Sequence, residues 1–573
     1  MAGRHPDSLR ARLDYEPVEL RFGTSGRRGE VRHLTQLEVY INARAEIDYL
    51  LSLPPGEGGV VRGDPLYLAS DLRPSSTRYV EEQEGRGEIA QAVVCALEDA
   101  GMRPVNLGKI PTPALARYAL ARARGSIMVT GSHIPFDRNG YKVNTSRGEL
   151  LKKDEAPINA RVARVRATIY DQPYDASPFD ARGRFKSGHR ELPPEQGGAR
   201  DEYVARYTDF FAGRPLAGMR VLCYQHSAVG RDILVEILER LGAAAIPAGR
   251  SETFVPIDTE NIQDELLAAI QGMADRAAAE HGALDAVVSM DGDSDRPLLL
   301  GVDAGRVLFF GGDLLGMVTA EFLGADAVVV PVSCNDAIDR GNLRSVLEPR
   351  TRIGSPYVIE GMERALRKGR RAVCGWEANG GFLTGSAIVR AGRTLPPLPT
   401  RDAVLPILAA LASARERGCT LVELFARLPR RRSRALLLRD FPRPASAAMM
   451  RRFSPSEEKI REATFDPLFL VGDDGGEIAP SEAATAELGR IREELERLFA
   501  PELGFSPVAG INWIDGVRIR FAGGEVAHVR PSGNADELRI YAVADGQERA
   551  DEIARAGVAE PDGILRRMER MVG

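Results

Sequence analysis

Three aspartates alternate in the stretch Ser289-Met-Asp-Gly-Asp-Ser-Asp-Arg-Pro297, directly after the apolar run Ala286-Val-Val. Carboxylates at that spacing repel one another unless a cation sits among them, and an all-oxygen ligand set suits a hard ion such as Mg²⁺. The plainer reading of Asp291, Asp293 and Asp295 is a solvated acidic turn. A calcium EF-hand loop fits badly: its sixth position, which should be Gly, is Arg296, and its twelfth, which should be Glu, is Val302. A second stretch, Thr130-Gly-Ser-His-Ile-Pro-Phe-Asp-Arg-Asn-Gly-Tyr-Lys142, follows a predicted strand at Ser126–Val129. Gly131 lets the chain bend before a hydroxyl. Ser132, His133 and Lys142 then offer a nucleophile, a proton carrier and a cation on one loop, although an ordinary turn serine would look the same.

Three further loops carry polar chemistry. In Val529–Tyr541, Arg530, the Ser532 hydroxyl and the backbone N–H groups of Gly533 and Asn534 have the makings of an anion nest, or of a plain hairpin turn. In Gly375–Phe382, Glu377 and Asn379 sit on a Gly-rich turn, suited to two adjacent sugar hydroxyls or simply solvated. In Arg21–Val31, Arg28 is available to an anion, but the GxxxxGK[ST] pattern of a P-loop is absent. A serine loop, a metal loop, arginines and a separate phosphate nest add up to phosphoryl transfer. With no nucleotide-binding signature, the phosphoryl group has to come from the substrate or from the enzyme itself.

Those loops need elements to position them. A strand, a polar loop, an amphipathic helix and a second strand recur three times. The first unit has a helix over 88–100, with Ile89, Val93, Val94 and Leu97 on one face, and the second a helix over 231–241. The third, beginning Ala327-Val-Val-Val-Pro, is less regular. Alternating strands and helices predict βα units on largely parallel sheets. Period-two alternation of Val517, Ile519, Phe521 and Leu538, Ile540, Ala542 predicts C-terminal hairpins, covered by a terminal helix over 551–571. The stretch 170–196 reads as a linker or insertion. The charged stretch 442–507 carries one helix with Leu488, Ile491, Leu495 and Leu498 on a single face.

At 573 residues there is room for about three to five domains. With 44% hydrophobic residues, 27% charged and a net charge of −5, nothing draws the chain to nucleic acid or to an anionic membrane. No apolar run approaches the roughly 20 residues of a membrane span. Five cysteines without a CxxC pair, and no apolar leader at the N-terminus, set the expectation of buried thiols in a cytoplasmic protein.

In this order the loops resemble those of the α-D-phosphohexomutase family, the phosphomannomutases and phosphoglucomutases. The match runs through Thr130–Lys142, Asp291–Arg296, Glu377 with Asn379, and Arg530–Asn534, with Gly23–Gly29 and Asp71–Ser76 in support. The resemblance implies an α/β protein of four domains around a central cleft: three related α/β domains with mixed sheets (1–195, 196–303, 304–430) and a C-terminal α+β domain (431–573). It implies a mutase, phosphomannomutase before phosphoglucomutase or a dual enzyme, interconverting hexose 6-phosphate and hexose 1-phosphate. A non-isomerising sugar-phosphate phosphatase or binding protein is the remoter alternative. On that pattern Ser132 carries the phosphoryl group and joins Asp291, Asp293 and Asp295 on Mg²⁺, and a hexose 1,6-bisphosphate is the intermediate and activator. Lys142 and Arg28 neutralise the transferring group, His133 or Lys142 handles the proton, and Arg296 supports the metal loop. Glu377, Asn379, Ser355 and Tyr357 face the sugar, while Arg530, Ser532, Gly533 and Asn534 hold the second phosphate. The partner is a small hexose phosphate, without nucleic acid or membrane, bound by a monomer or homodimer. Two positions depart from the pattern: Ser355 replaces a basic residue, shifting its contact to Arg352 or Tyr357, and Ile134 stands where Asn is usual.

Overall fold

The computed structural model describes residues 7–572, apart from 24, 261, 473–474 and 533–535. The first sheet runs, edge to edge, Arg27–Glu30, Arg138–Thr145, Ser126–Val129, Pro65–Ser70, Arg103–Lys109. Its last three strands are parallel and its first two antiparallel, so the sheet is mixed. Pro65–Ser70 is buried along nearly its whole length, as expected of a strand covered on both faces. The helix Ile89–Asp99 buries the predicted face at Ile89, Val93, Val94 and Leu97. Gly101, at φ +77°, lies just beyond the end of the helix in a conformation that side chains resist.

The second sheet repeats the pattern: Ala244–Arg250, Arg220–His226 and Ala286–Met290 are parallel, then Pro297–Asp303 and Arg306–Phe309 return antiparallel. Because Arg306–Phe309 pairs with Pro297–Asp303, this sheet extends past the boundary expected at 303. In the third, Ala327–Val329 and Val373–Trp376 are parallel, and Phe382–Thr384 and Leu398–Asp402 follow antiparallel. One continuous apolar core joins these three units. It includes Leu115, Tyr203, Tyr207, Val288, Trp376 and Leu408.

The fourth sheet has eight antiparallel strands and its own core. The charged stretch 442–507 belongs to it: Ile460–Thr464 and Phe469–Gly472 extend the sheet, and the helix Glu482–Leu498 packs Leu488, Ile491, Leu495 and Leu498 into the core. Each such side chain contributes about 1.5–3 kcal/mol by burial. The expected terminal helix is two, Gln547–Val558 and Ile564–Arg570, separated at Pro561, which has no N–H to continue the ladder. The stretch 170–196 is a packed strap and not a free linker. Phe179 is fully buried, 5.4 Å from the Tyr40 ring, and Asn106 Nδ2 donates to the Pro193 carbonyl at 2.9 Å. No helix among the described residues is long and apolar enough to cross a membrane.

Candidate active site

Ser132 lies in the turn between Ser126–Val129 and Arg138–Thr145, fully buried, with φ +55°. A non-glycine residue in the left-handed region costs about 1–3 kcal/mol and persists only where its neighbours over-determine it. Here they do. The Ser132 N–H donates to Thr130 Oγ1 at 2.7 Å, and Thr130 donates to Asp71 at 2.7 Å. The buried Arg73 guanidinium donates to the carbonyls of Ser132 (2.9 Å), Pro135 (2.7 Å) and Arg138 (2.9 Å), and lies 3.8 Å over the Phe254 ring. Phe254 comes from the segment after the second sheet's edge strand, so the serine loop is braced from two units at once.

The metal loop meets the serine loop directly: Ser132 Oγ donates to Asp291 Oδ2 at 2.8 Å. Their approach depends on Gly292, where a Cβ would lie 2.8 Å from the Ser132 carbonyl oxygen and 2.9 Å from two Phe254 ring atoms. Asp291, Asp293 and Asp295 are buried, and one oxygen of each lies within 4.8 Å of the others. Burial, then Asp293 and Asp295, push the Asp291 carboxyl well above its ordinary range. Burial also acts on Asp293, but Lys142 and Thr112 outweigh it and hold that carboxyl low. At Asp295 burial is overcome by Arg401, Lys142 and Arg296. Lys142 Nζ donates to Asp293 and Asp295 at 2.9 Å each, and Thr112 Oγ1 to Asp293 at 2.7 Å. The Oδ1 atoms of Asp293 and Asp295 are buried without a hydrogen-bond partner. Orphaned carboxylate oxygens converging with Asp291 are what a divalent, oxygen-seeking cation would satisfy, so the residues present fit a metal.

Cations ring this triad. Arg28 is on the strand Arg27–Glu30, not in a loop. Burial lowers its guanidinium to about 10 against the pull of Asp293. Arg296 Nε stands 3.7 Å from Asp295 and 3.9 Å from Asp291. The Nε donors of both arginines are buried and unpartnered, which leaves them for an anion. His133 Nδ1 is 3.5 Å from Ser132 Oγ; burial, then Arg296, Arg28 and Arg539, depress its imidazole far below the usual range, so the ring is neutral.

Glu377 and Asn379 occupy the turn between Val373–Trp376 and Phe382–Thr384, both buried. Asn379 Oδ1 accepts from the Gly381 N–H at 3.0 Å, and its carbonyl from Thr259 Oγ1 at 2.9 Å. Glu377 Oε1 accepts from Arg401 at 3.0 Å, and Arg401 also donates twice to Asp295 Oδ2, at 2.9 and 3.0 Å.

On the C-terminal unit, Arg530 donates to Asp515 Oδ1 at 2.8 Å, while Asp515 Oδ2 accepts from the Ile353 N–H at 3.0 Å. A cavity of about 420 Å³ opens there, lined by Phe22, Lys152, Arg352, Tyr357, Asp515 and Arg530. Arg530 stands directly opposite Arg539 across the strand pair Val526–Pro531 and Leu538–Ala544. Each guanidinium has its own carboxylate, Asp515 for Arg530 and Glu537 for Arg539 at 3.3 Å. The Ser532 N–H donates to the Glu537 carbonyl at 2.9 Å, whereas Gly533 and Asn534 lie outside the described residues. Tyr357 and Arg352 reach the cavity, but Ser355 does not. It is fully buried, its Oγ donating to Glu149 at 2.6 Å, which links the third unit to the first.

Models of the phosphoglucomutase/phosphomannomutase α/β/α domain I, α/β/α domain III and C-terminal domain match residues 19–168, 311–431 and 480–559. A phosphomannomutase of Sinorhizobium fredii is 38% identical over 94% of this chain and 98% of its own, and one of Salmonella muenchen is 36% identical over 93% of each. The chain belongs to the phosphoglucomutase/phosphomannomutase family. Its fold matches a solved family member from Burkholderia thailandensis with a TM-score of 0.59 at 16% identity, over 96% of this chain and 98% of that one. Within this family member, sequence reasoning overlooked several side chains that build the site. Asp71 and Arg73 follow the strand Pro65–Ser70, and no spacing marks them as partners of the serine loop. Thr112 and Arg401 have no local signal, lying 181 and 106 positions from the aspartates they hold. Arg539 was recoverable, because a hairpin across 530–539 places it opposite Arg530.

Proposed function

We propose that this protein is a phosphomannomutase that interconverts mannose 6-phosphate and mannose 1-phosphate through a phosphorylated Ser132 and a hexose 1,6-bisphosphate. The observation carrying this reading is the contact of Ser132 Oγ with Asp291 among Arg28, Lys142 and Arg296, with a second cationic place at the cavity lined by Arg352 and Arg530. A mutase needs both: one place where a phosphoryl group is transferred and one where the other phosphate waits. The name and near-full coverage of the two bacterial relatives support mannose as the sugar.

In the forward step the bond between phosphorus and Ser132 Oγ breaks, and a bond to the free sugar hydroxyl forms. His133, whose Nδ1 stands 3.5 Å from Ser132 Oγ, accepts the proton of that sugar hydroxyl. Arg28 and Arg296 direct their unpartnered Nε donors to the transferring oxygens, where charge builds. Mg²⁺, held by Asp291, Asp293, Asp295 and the Ser132 oxygen, would supply further neutralisation of that charge. Arg530 and Arg539 keep the second phosphate, Glu377 and Asn379 orient the ring hydroxyls, and Arg352 and Tyr357 line the route. After the bisphosphate turns around, Ser132 Oγ takes the other phosphate and His133 returns its proton to the sugar oxygen.

The test is a coupled assay with mannose 1-phosphate, glucose 1-phosphate and glucosamine 1-phosphate, Mg²⁺ and a trace of bisphosphate, beside intact-mass analysis. Turnover fastest with mannose 1-phosphate, and a phosphoryl adduct absent from Ser132→Ala, are expected. No turnover of any of the three would sink the reading.

A further inference from the structure

Three consecutive residues of the strand Leu398–Asp402 each point to a different part of the molecule. Thr400 Oγ1 donates to Glu149 at 2.7 Å, on the first unit. Asp402 accepts from Tyr203 at 2.7 Å and from Tyr207, on the helix Ala199–Phe210 that packs between units. Between them, Arg401 is 2% exposed and spans two loops: Nε and Nη2 donate to Asp295 of the metal loop, Nη1 to Glu377 of the sugar loop. A planar guanidinium carries its donors in a rigid fork that fixes the separation and orientation of two carboxylates, whereas the rotatable donors of an ammonium on a flexible stem fix neither as firmly. Its neighbours pin its backbone on both sides, so the span is pre-set.

We propose that Arg401 is a positioning residue that locks the sugar loop to the metal loop, so that the sugar is presented in register with the reacting serine. This rests on the function proposed above. Two features favour it over a filler ion bridge. Glu377 is buried, and its bond to Arg401 leaves the other oxygen, Oε2, for a sugar hydroxyl, so the carboxylate is aimed as well as neutralised. Asp295, in contrast, keeps Lys142 even without Arg401. Loss of the guanidinium fork therefore falls on the sugar side first. A lysine at 401 keeps a cation beside Asp295 and Glu377 while giving up one arm of the fork.

The discriminating variant is Arg401→Lys, read by direct binding in the Ser132→Ala background so that turnover does not intervene. Titration with mannose 1-phosphate should show affinity weakened about tenfold. Inorganic phosphate, which has no hydroxyl-bearing ring for Glu377, and Mn²⁺ followed by its electron paramagnetic resonance signal should each change less than threefold. Glu377→Gln should weaken mannose 1-phosphate similarly, and the double variant Arg401→Lys/Glu377→Gln should be little worse than either single one, since both break one linkage. Unchanged mannose 1-phosphate affinity in Arg401→Lys would overturn the proposal. So would equal losses for the sugar phosphate, inorganic phosphate and Mn²⁺, or full additivity in the double variant. The unsubstituted enzyme is the control for the function: if it turns over no hexose phosphate, that reading falls, whereas normal turnover with any of these contrary binding results removes only the role of Arg401.

Discussion

Gly292→Ala tests whether the serine and metal loops must touch. A Cβ at that position would stand 2.8 Å from the Ser132 carbonyl oxygen and 2.9 Å from two atoms of the Phe254 ring. Ordinary contact begins near 3.4 Å, so the loops have to part by roughly half an ångström. Neither obstacle yields cheaply. The carbonyl belongs to backbone that Arg73 holds, and Phe254 is buried with Arg73 stacked on it. Overpacking of this kind costs about 1–3 kcal/mol in stability. The catalytic effect is separate: Ser132 Oγ moves from its 2.8 Å contact with Asp291, and misplacements near 1 Å cost about a hundredfold. A loss of about ten- to a hundredfold in kcat is expected, with KM for the sugar phosphate nearly unchanged because Arg530 and Glu377 lie elsewhere. Gly301→Ala is the control. On the strand Pro297–Asp303, its Cβ would meet the Phe310 ring at 2.6 Å, an overlap with a side chain and away from the serine loop. Steady-state kinetics and thermal melts on both variants decide the matter. If both melt lower but Gly292→Ala keeps kcat within threefold of the unsubstituted enzyme, the loop contact is not part of the chemistry.

Asp293→Asn removes one negative ligand while leaving Thr112 a partner, so half-maximal activity should need at least tenfold more Mg²⁺; an unchanged metal titration would take this loop out of the metal site. Arg530→Ala loses a charge-assisted bond worth about 1.5–3 kcal/mol, which should raise KM for both monophosphates by about one to two orders of magnitude and let bisphosphate escape into the medium. A rise confined to one monophosphate, with no bisphosphate released, would refute a shared anchor. His528 donates from Nε2 to the Asp515 carbonyl, its Nδ1 is buried without an acceptor, and burial lowers its pKa to about 4 from 6.5. Below pH 6.5 the unfolded chain takes up a proton that the folded one refuses, so this group's contribution falls as pH drops toward 4. The Tm–pH slope in that window should be shallower in His528→Gln, and an identical slope would show the imidazole is not responsible.

How much of this was legible depends on whether the signal is local. The helix Ile89–Asp99 and the alternation in Val517–Phe521 were readable because each reports burial of its own face. The terminal helix was drawn through Pro561 because its apolar spacing resumes on the other side, and the strap 170–196 looked like a linker because its single deep anchor, Phe179, is diluted among polar residues. Site residues divide likewise. Ser132, Lys142 and the three aspartates announce themselves by type and spacing, and the structure brings them together. The position after Gly354 predicts that Ser355 faces the sugar, whereas its buried hydroxyl donates to the half-buried Glu149, 206 positions away. Nothing near residue 355 could have shown that.

The three α/β units place their functional loops in one topological position. In each, a strand parallel to its neighbour turns back antiparallel, and that turn carries candidate site residues: Ser132 between Ser126–Val129 and Arg138–Thr145, the aspartates between Ala286–Met290 and Pro297–Asp303, Glu377 between Val373–Trp376 and Phe382–Thr384. A parallel strand is buried on both faces, so its end is rigid, while the hairpin beyond it is free to carry polar residues. Repetition of the unit thus delivers three stiffly mounted turns, and a common core among the units brings them to one place. What repetition cannot deliver is agreement between the turns, because each is built from its own sheet. That task falls to side chains crossing between units, Lys142 onto Asp293 and Asp295, Thr112 onto Asp293, Arg401 onto Asp295 and Glu377. These are the residues whose spacing in the chain is arbitrary, and apart from Lys142 they are the ones the sequence left unmarked.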